Sequence, residues 1–421
     1  MTLTRRKAII GLCAAAMPTG RAASVTQTRL RISAPIGIHQ KMLGELASRF
    51  TRLNPAITIE FVGKGDNWDP LLQVTLREGL VNGLPDATWQ SLTYAPLLAR
   101  RRYLQSLDAL AGGRRAFNEL GLPGPLLESV SGDRGILAMP FGTTIPVVYF
   151  NKDLLRRAGY TAAQPLATWD EIVEIAGRIS ALDQTLIGGF VEYDASNAWI
   201  FQNLVAGFGG RMMTSDLSGI AFDAPEGRSA LELLWRLGDA GGPNMSREQA
   251  RQAFNAGACG ILIRSASGTT SVSKAAEGRF ELMVGRLPLP SPNGRLVGAG
   301  HGFMVFTKDP DRQKALWAFL RFAAEAEGQM ILARQTGYMP VNVSALADAA
   351  FRKEYLRINP YHSAIVDALE FTTDQFSFPK DNTVKITDMM ADVMRDVVVH
   401  RTRPDAALKA MADQTRKLLS S

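Results

Sequence analysis

Cysteine and histidine are both scarce in this chain, with two and four among 421 residues. Two cysteines close at most one bridge, which excludes a disulfide-built scaffold. The histidines, His39, His301, His362 and His400, are scattered and form no HExxH pattern, and no CxxC or GxSxG is present, so no metal centre, cofactor or nucleophile elbow is expected. Gly207-Phe208-Gly209-Gly210 lacks the spacing of a dinucleotide loop and reads as a helix C-terminus. Beyond the N-terminal segment, no run approaches the 18 or more apolar residues of a membrane span. Cys259, within the apolar run Ala258 to Ile263, reads as buried packing.

The chain does have the material for a large core, at 46% hydrophobic and 21% charged residues, and its length suits two or three domains or two lobes. A net charge of +7 and a pI near 9.5 would suit a nucleic-acid or membrane-surface protein. The location of that charge argues otherwise. Arg5, Arg6 and Lys7 precede an apolar run from Ala8 to Met17 and a small-residue end at Ala22 and Ala23, the layout of a secretory signal, with Arg5-Arg6 resembling a twin-arginine one. Cleavage after Ala23 would leave 398 residues and remove four positive charges and no negative ones, bringing +7 to +3. The basic surplus is then largely an export tag, and no nucleic-acid partner is expected.

Strand and helix patterns alternate along the mature chain. Arg29 to Ser33 alternates, Met42, Leu43, Leu46, Phe50 and Leu53 recur at helical spacing, and Ile57, Ile59 and Phe61 alternate again. Asp69-Pro70 reads as an N-cap and first-turn proline for Leu71 to Val81, and Asp86 to Gln90 as another extended run. Thr168-Trp169-Asp170-Glu171 is a capping box. Helices are expected over about Glu226 to Leu237 and, as the longest, from near Asp311 to Arg334. Pro288, Pro290, Pro292 and Gly294 form the densest breaker cluster, a candidate crossing between lobes. The fold class is α/β.

The segment Pro140 to Tyr160, PFGTTIPVVYFNKDLLRRAGY, resembles a signature of the extracytoplasmic solute-binding proteins of ABC importers, the carbohydrate-binding group (family 1) that includes maltose and glycerol-3-phosphate binders. Further matches follow in order: Thr168 to Glu171, Phe254-Asn255-Ala256-Gly257, Gly298 to Phe303, and Thr336-Gly337-Tyr338-Met339-Pro340-Val341. Together they span nearly the whole mature chain. The resemblance implies a periplasmic-binding-protein-like pair of α/β lobes with a hinge and an interlobe ligand cleft, divided as 24–143 plus 301–340 and 147–297 plus 345–421. It places crossings near Thr143 to Val147, near Gly298 to Gly302 and after Pro340. It further implies a periplasmic, monomeric, non-enzymatic protein that delivers a sugar, polyol or glycerophospho ligand to permease subunits in the membrane. An exported carbohydrate-active enzyme is the alternative; it would need two carboxylates at catalytic separation.

Carried over from the glycerol-3-phosphate binders, the resemblance assigns ligand contacts to eleven positions of this chain. Trp68 and Trp199 would be aromatic plates, and each could equally be helix-start packing. Gln90 stands where those binders have a carboxylate. Thr143 and Thr144 match hydroxyl residues at the crossing, with turn bonding as the other reading. Ser267 and Gly268 match a hydroxyl-bearing loop, while Gly298 and Gly300 match a close backbone approach. Tyr338 sits between Gly337 and Pro340 on a rigid turn. Lys385 falls where those binders use Arg on phosphate, offering a positive donor without the bidentate fork, or else a solvated surface lysine.

Overall fold

The computed structural model describes residues 27–64, 67–241, 244–379 and 382–420, so the proposed signal segment and its cleavage site lie outside the described residues. Two main sheets organise the chain. In the larger, Thr28–Ala34 pairs in parallel with Ile57–Gly63 and Ala87–Ser91, and Leu296–Val305 runs antiparallel between Ala87–Ser91 and Met139–Thr144. Met339–Pro340 pairs with Met139–Thr144, and Thr372–Asp374 with the start of Leu296–Val305. In the smaller, Pro146–Asn151 lies between Cys259–Ser265 and Leu282–Arg286, both antiparallel, with Ile187–Val191 parallel on the outer side of Cys259–Ser265.

Each sheet has its own apolar core. One gathers Leu30, Ile32, Phe50, Trp89, Phe141 and Phe319; the other gathers Tyr149, Ile172, Phe201, Phe222, Ile261 and Met390. Local signals account for most elements. Thr168 caps the Trp169–Ser180 helix in a complete capping box, as its spacing requires. Asn151 accepts from the N–H groups of Asp153 and Leu154, starting Lys152–Arg157, and Gly159 follows at φ +89°. The Gly207 cluster ends the Trp199–Gly207 helix, and Cys259 is fully buried, where burial pushes its thiol up to about 12.

Two expectations change. Asn67, not Asp69, starts the Trp68–Leu80 helix by accepting from the Trp68 N–H, which leaves Asp69 in the first turn against Tyr94. The single long helix near Asp311 to Arg334 is two, Pro310–Ala324 and Ala326–Gln335, separated by extended backbone at Glu325; Pro404–Ser420 is the longest among the described residues.

The sheets join where strands change partner. Only Ile145 separates Met139–Thr144 from Pro146–Asn151. The breaker cluster lies in the connection from Leu282–Arg286 to Leu296–Val305, the return to the larger sheet. After Met339–Pro340 the chain forms Ala349–Ile358, which packs on Ala326–Gln335 before Thr383–Val398 and Pro404–Ser420 cover the smaller sheet's core.

Gly337 fixes the third junction. Its N–H donates to Ser267 O at 3.0 Å, and a Cβ there would sit 2.1 Å from the carbonyl oxygen of Ala266. Replacing Gly337 by Ala is expected to destabilise by about 1–3 kcal/mol, an overpacking cost, read as a lowered thermal midpoint; an unchanged midpoint would contradict this packing.

Candidate functional site

A cavity of about 400 Å³ lies where the two sheets meet. The larger sheet's side supplies His39, Trp68, His301 and Tyr338; the smaller sheet's side supplies Trp199, Arg247, Arg251 and Arg264 with Glu192 and Glu248; Thr144, Ser265, Ser267 and Ala299 line it at the crossing.

The aromatic wall is built from elements distant in sequence. Trp68, at the first turn of its helix, stacks on His301 of the Leu296–Val305 strand, with ring centroids 4.0 Å apart and planes 23° from parallel. Trp89 meets both His39 and Trp68 edge-on, at 4.9 and 5.0 Å, and Tyr338 meets His301 edge-on at 5.1 Å. Burial holds His39 down to about 4 and His301 well below its ordinary value, so both rings are neutral at pH 7. Across the cavity, Trp199 donates its indole N–H to Val297 O at 2.8 Å, and Asn203 accepts from Val297 N at 2.8 Å. The indole N–H is thus spent on the crossing strand while the ring lines the cavity.

The turn before Trp199 is strained. Asn197 and Ala198 both adopt left-handed backbone, at φ +60° and +49°, a conformation costing a non-glycine residue about 1–2 kcal/mol. It is held by the Asn197 amide donating to Phe376 O at 2.7 Å and by Gln202 donating to the carbonyls of Asn197 and Phe376. The turn faces Asp69 from the opposite lobe. Burial raises the Asp69 carboxyl above the ordinary range, against the opposing pull of Tyr94, Ser196 and Arg247.

The charged wall is internally paired. Arg251 grips Glu192 through both carboxylate oxygens, at 2.7 and 2.6 Å. Burial alone would raise Glu192, but Arg264 and then Arg251 outweigh it and hold the carboxyl below its ordinary value. Arg247 lies 3.3 Å from Glu248 and 3.7 Å from Asp194. Several buried polar atoms at the cavity have no protein partner: Nδ1 of His39 and of His301, Oδ1 of Asn197 and Oε1 of Gln375. Buried polar groups are normally hydrogen-bonded, so such a ring around a cavity fits a ligand carrying both donors and acceptors.

Of the eleven assigned positions, Trp68, Thr144, Trp199, Ser267 and Tyr338 line the cavity. The other six do not. Gln90 is fully buried in its strand and accepts from Ser91 N. Thr143 donates weakly to Ala299 O at 3.4 Å. Gly268 backs the wall, since a Cβ there would come 2.6 Å from the Arg264 guanidinium carbon. Gly298 pairs with Asp374, and Gly300 packs against Leu92. Lys385 is exposed on Thr383–Val398, between the buried Val384 and Ile386. Sequence reasoning missed the two histidines and the three arginines. His301 lay inside the Gly298 to Phe303 match, and Arg264 was a charge at the end of an apolar strand; neither signal reached beyond its own segment.

The neutral histidines give a pH prediction. In the unfolded chain each histidine binds its proton near 6.5, whereas folded His39 and His362 do so only near 4. Below 6.5 the unfolded state therefore holds more protons, so stability present above 6.5 is lost as pH falls toward 4, on the order of 3 kcal/mol for His39 alone. Chemical denaturation of wild type against His39→Gln is expected to give a shallower acid loss in the variant, and parallel profiles would contradict this.

Residues 45–356 match the family of bacterial extracellular solute-binding proteins. The periplasmic sn-glycerol-3-phosphate-binding protein of Salmonella typhimurium is 23% identical over 99% of this chain and 98% of its own. The Mycobacterium tuberculosis UgpB, solved in complex with glycerophosphocholine, superposes with a TM-score of 0.79 at 19% identity, covering 94% of this chain and 99% of that one. A Listeria monocytogenes ABC substrate-binding protein in complex with cycloalternan gives 0.81 at 18% identity, covering 94% and 99%. The fold is thus that of two-lobed periplasmic sugar-binding proteins, and the chain belongs to the bacterial extracellular solute-binding family.

Proposed function

We propose that this protein captures a polyhydroxylated small molecule, a sugar, polyol or glycerophospho compound, in the cavity between its lobes and delivers it in the periplasm to the membrane permease of an ABC importer. The observation that carries this is the cavity's composition, with Trp68 and Trp199 facing it from opposite lobes and partnerless polar atoms set around it. Flat rings suit the C–H faces of such a ligand, and the polar atoms suit its hydroxyls. The names of the relatives support the same class, since they are given as binding sn-glycerol 3-phosphate or as solved with glycerophosphocholine and with cycloalternan. We assign the lobes as 24–143 plus 301–340 and 147–297 plus 345–421, with the Ala349–Ile358 helix packed on the first-lobe side.

The protein acts by binding without chemistry of its own in this reading. Arg264 and Arg251 hold Glu192, the most buried carboxylate of the lining, below its ordinary value and so ionised, which does not suit it for general acid work. Affinity near micromolar, about −8 kcal/mol, is expected. Mass spectrometry of compounds released from natively purified protein identifies the ligand, and calorimetry against it then tests the site. Trp68→Ala and Trp199→Ala should each weaken binding by about tenfold or more with folding retained. Undiminished affinity in both, or turnover of a bound glycoside, would overturn the reading.

A further inference from the structure

One side chain of the charged wall has no structural partner adequate to its burial. Arg264 ends the Cys259–Ser265 strand with its side chain only 8% exposed, and it lines the cavity. Its nearest carboxylate is Glu192, at 3.3 Å from Nε, and that Nε is buried without a hydrogen bond. Glu192 is already gripped through both oxygens by Arg251, so although the charges of the wall are matched, with Glu248 also 3.8 Å from Arg251, Glu192 offers Arg264 an ion pair without a hydrogen bond. Among the described residues no acceptor takes a hydrogen bond from the Arg264 guanidinium. Of its nitrogens Nε is buried without a partner, while the two terminal nitrogens, which make no protein hydrogen bond, belong to a side chain that lines the cavity, where an acceptor-rich group would meet them.

The surroundings point the same way. Ser267 lies 2.7 Å from Ser265 through their hydroxyls and Ser265 lies 2.9 Å from Thr144, so a chain of hydroxyls lines the cavity beside Arg264, with Tyr338 on the same lining. The absent side chain of Gly268 leaves room for the guanidinium in this position. An alcohol would bring a proton of its own to this donor-rich corner. An oxyanion brings acceptors alone, and the planar fork of Arg fits it through two bonds.

We propose that Arg264 is the anion-recognising residue of the cavity, so that the transported solute carries a phosphate-ester or carboxylate group on its hydroxylated skeleton. The inference rests on the cavity being the ligand site. It places charge recognition on the Cys259–Ser265 strand of the second lobe, while Lys385 is exposed and outside the lining.

Calorimetry on the mature protein would use matched probes: sn-glycerol 3-phosphate against glycerol, glucuronate against glucose, and the compound released from natively purified protein. The charged member of a pair is expected to bind at least about thirtyfold tighter, less so at high salt, and the released compound to be anionic. Arg264→Gln should abolish that preference and Arg264→Lys should keep part of it; because Arg264 is also the larger of the two charges that hold Glu192 ionised, a lowered thermal midpoint is expected in Arg264→Gln, and both variants are compared with wild type well below their midpoints, where circular dichroism shows them folded. Equal affinity for charged and neutral members, a preference that survives in Arg264→Gln, or release of a neutral sugar would overturn this inference and leave the binding-protein reading standing. A protein that releases no compound and binds no probe of either kind would overturn both.

Discussion

The architecture depends on a strand that changes sheet within one residue. Thr144 still pairs with Ala299 of the larger sheet, and Pro146 already pairs with Ser265 of the smaller one. The single intervening residue, Ile145, is buried, and its carbonyl accepts from Ala266 N at 2.9 Å. So short a link gives the crossing little freedom to wander, and it holds the hydroxyls of Thr144, Ser265 and Ser267 together at the floor of the cleft. The other crossings tighten the same junction. Val297 is bound by Trp199 and Asn203, and Gly337 by Ser267.

The site's electrostatics follow from this junction. Burying His39 and His301 among aromatic rings removes their charge over the physiological range, which makes one wall apolar with neutral hydrogen-bonding points. The opposite wall keeps its charges because they are paired, at the desolvation cost that buried ions always carry. A neutral aromatic face against a charged polar face can orient a ligand that has one apolar side and one oxygen-rich side.

Much of this was legible in the sequence because the relevant signals are local. The Thr168 capping box, the strand from Pro140 onward and the Tyr338 turn each declare themselves within a few residues. The break at Glu325 did not, because helical periodicity runs through it undisturbed. Gln90 and Lys385 occupy matched positions in the chain, yet Gln90 is buried within its strand and Lys385 takes the exposed side of its helix between Val384 and Ile386. Register and helix rotation decide which side chain enters a cleft, and matching a position does not fix either. The pairing of Trp68 with His301, and of Glu192 with Arg251 and Arg264, exists only once the sheets are assembled.

The central claim is that ligand is held between two lobes that move about this junction. Small-angle X-ray scattering of the mature protein, stripped of ligand and then saturated with the compound it releases, tests it most directly. A smaller radius of gyration in the saturated protein is the predicted result. An identical radius with ligand demonstrably bound would contradict it.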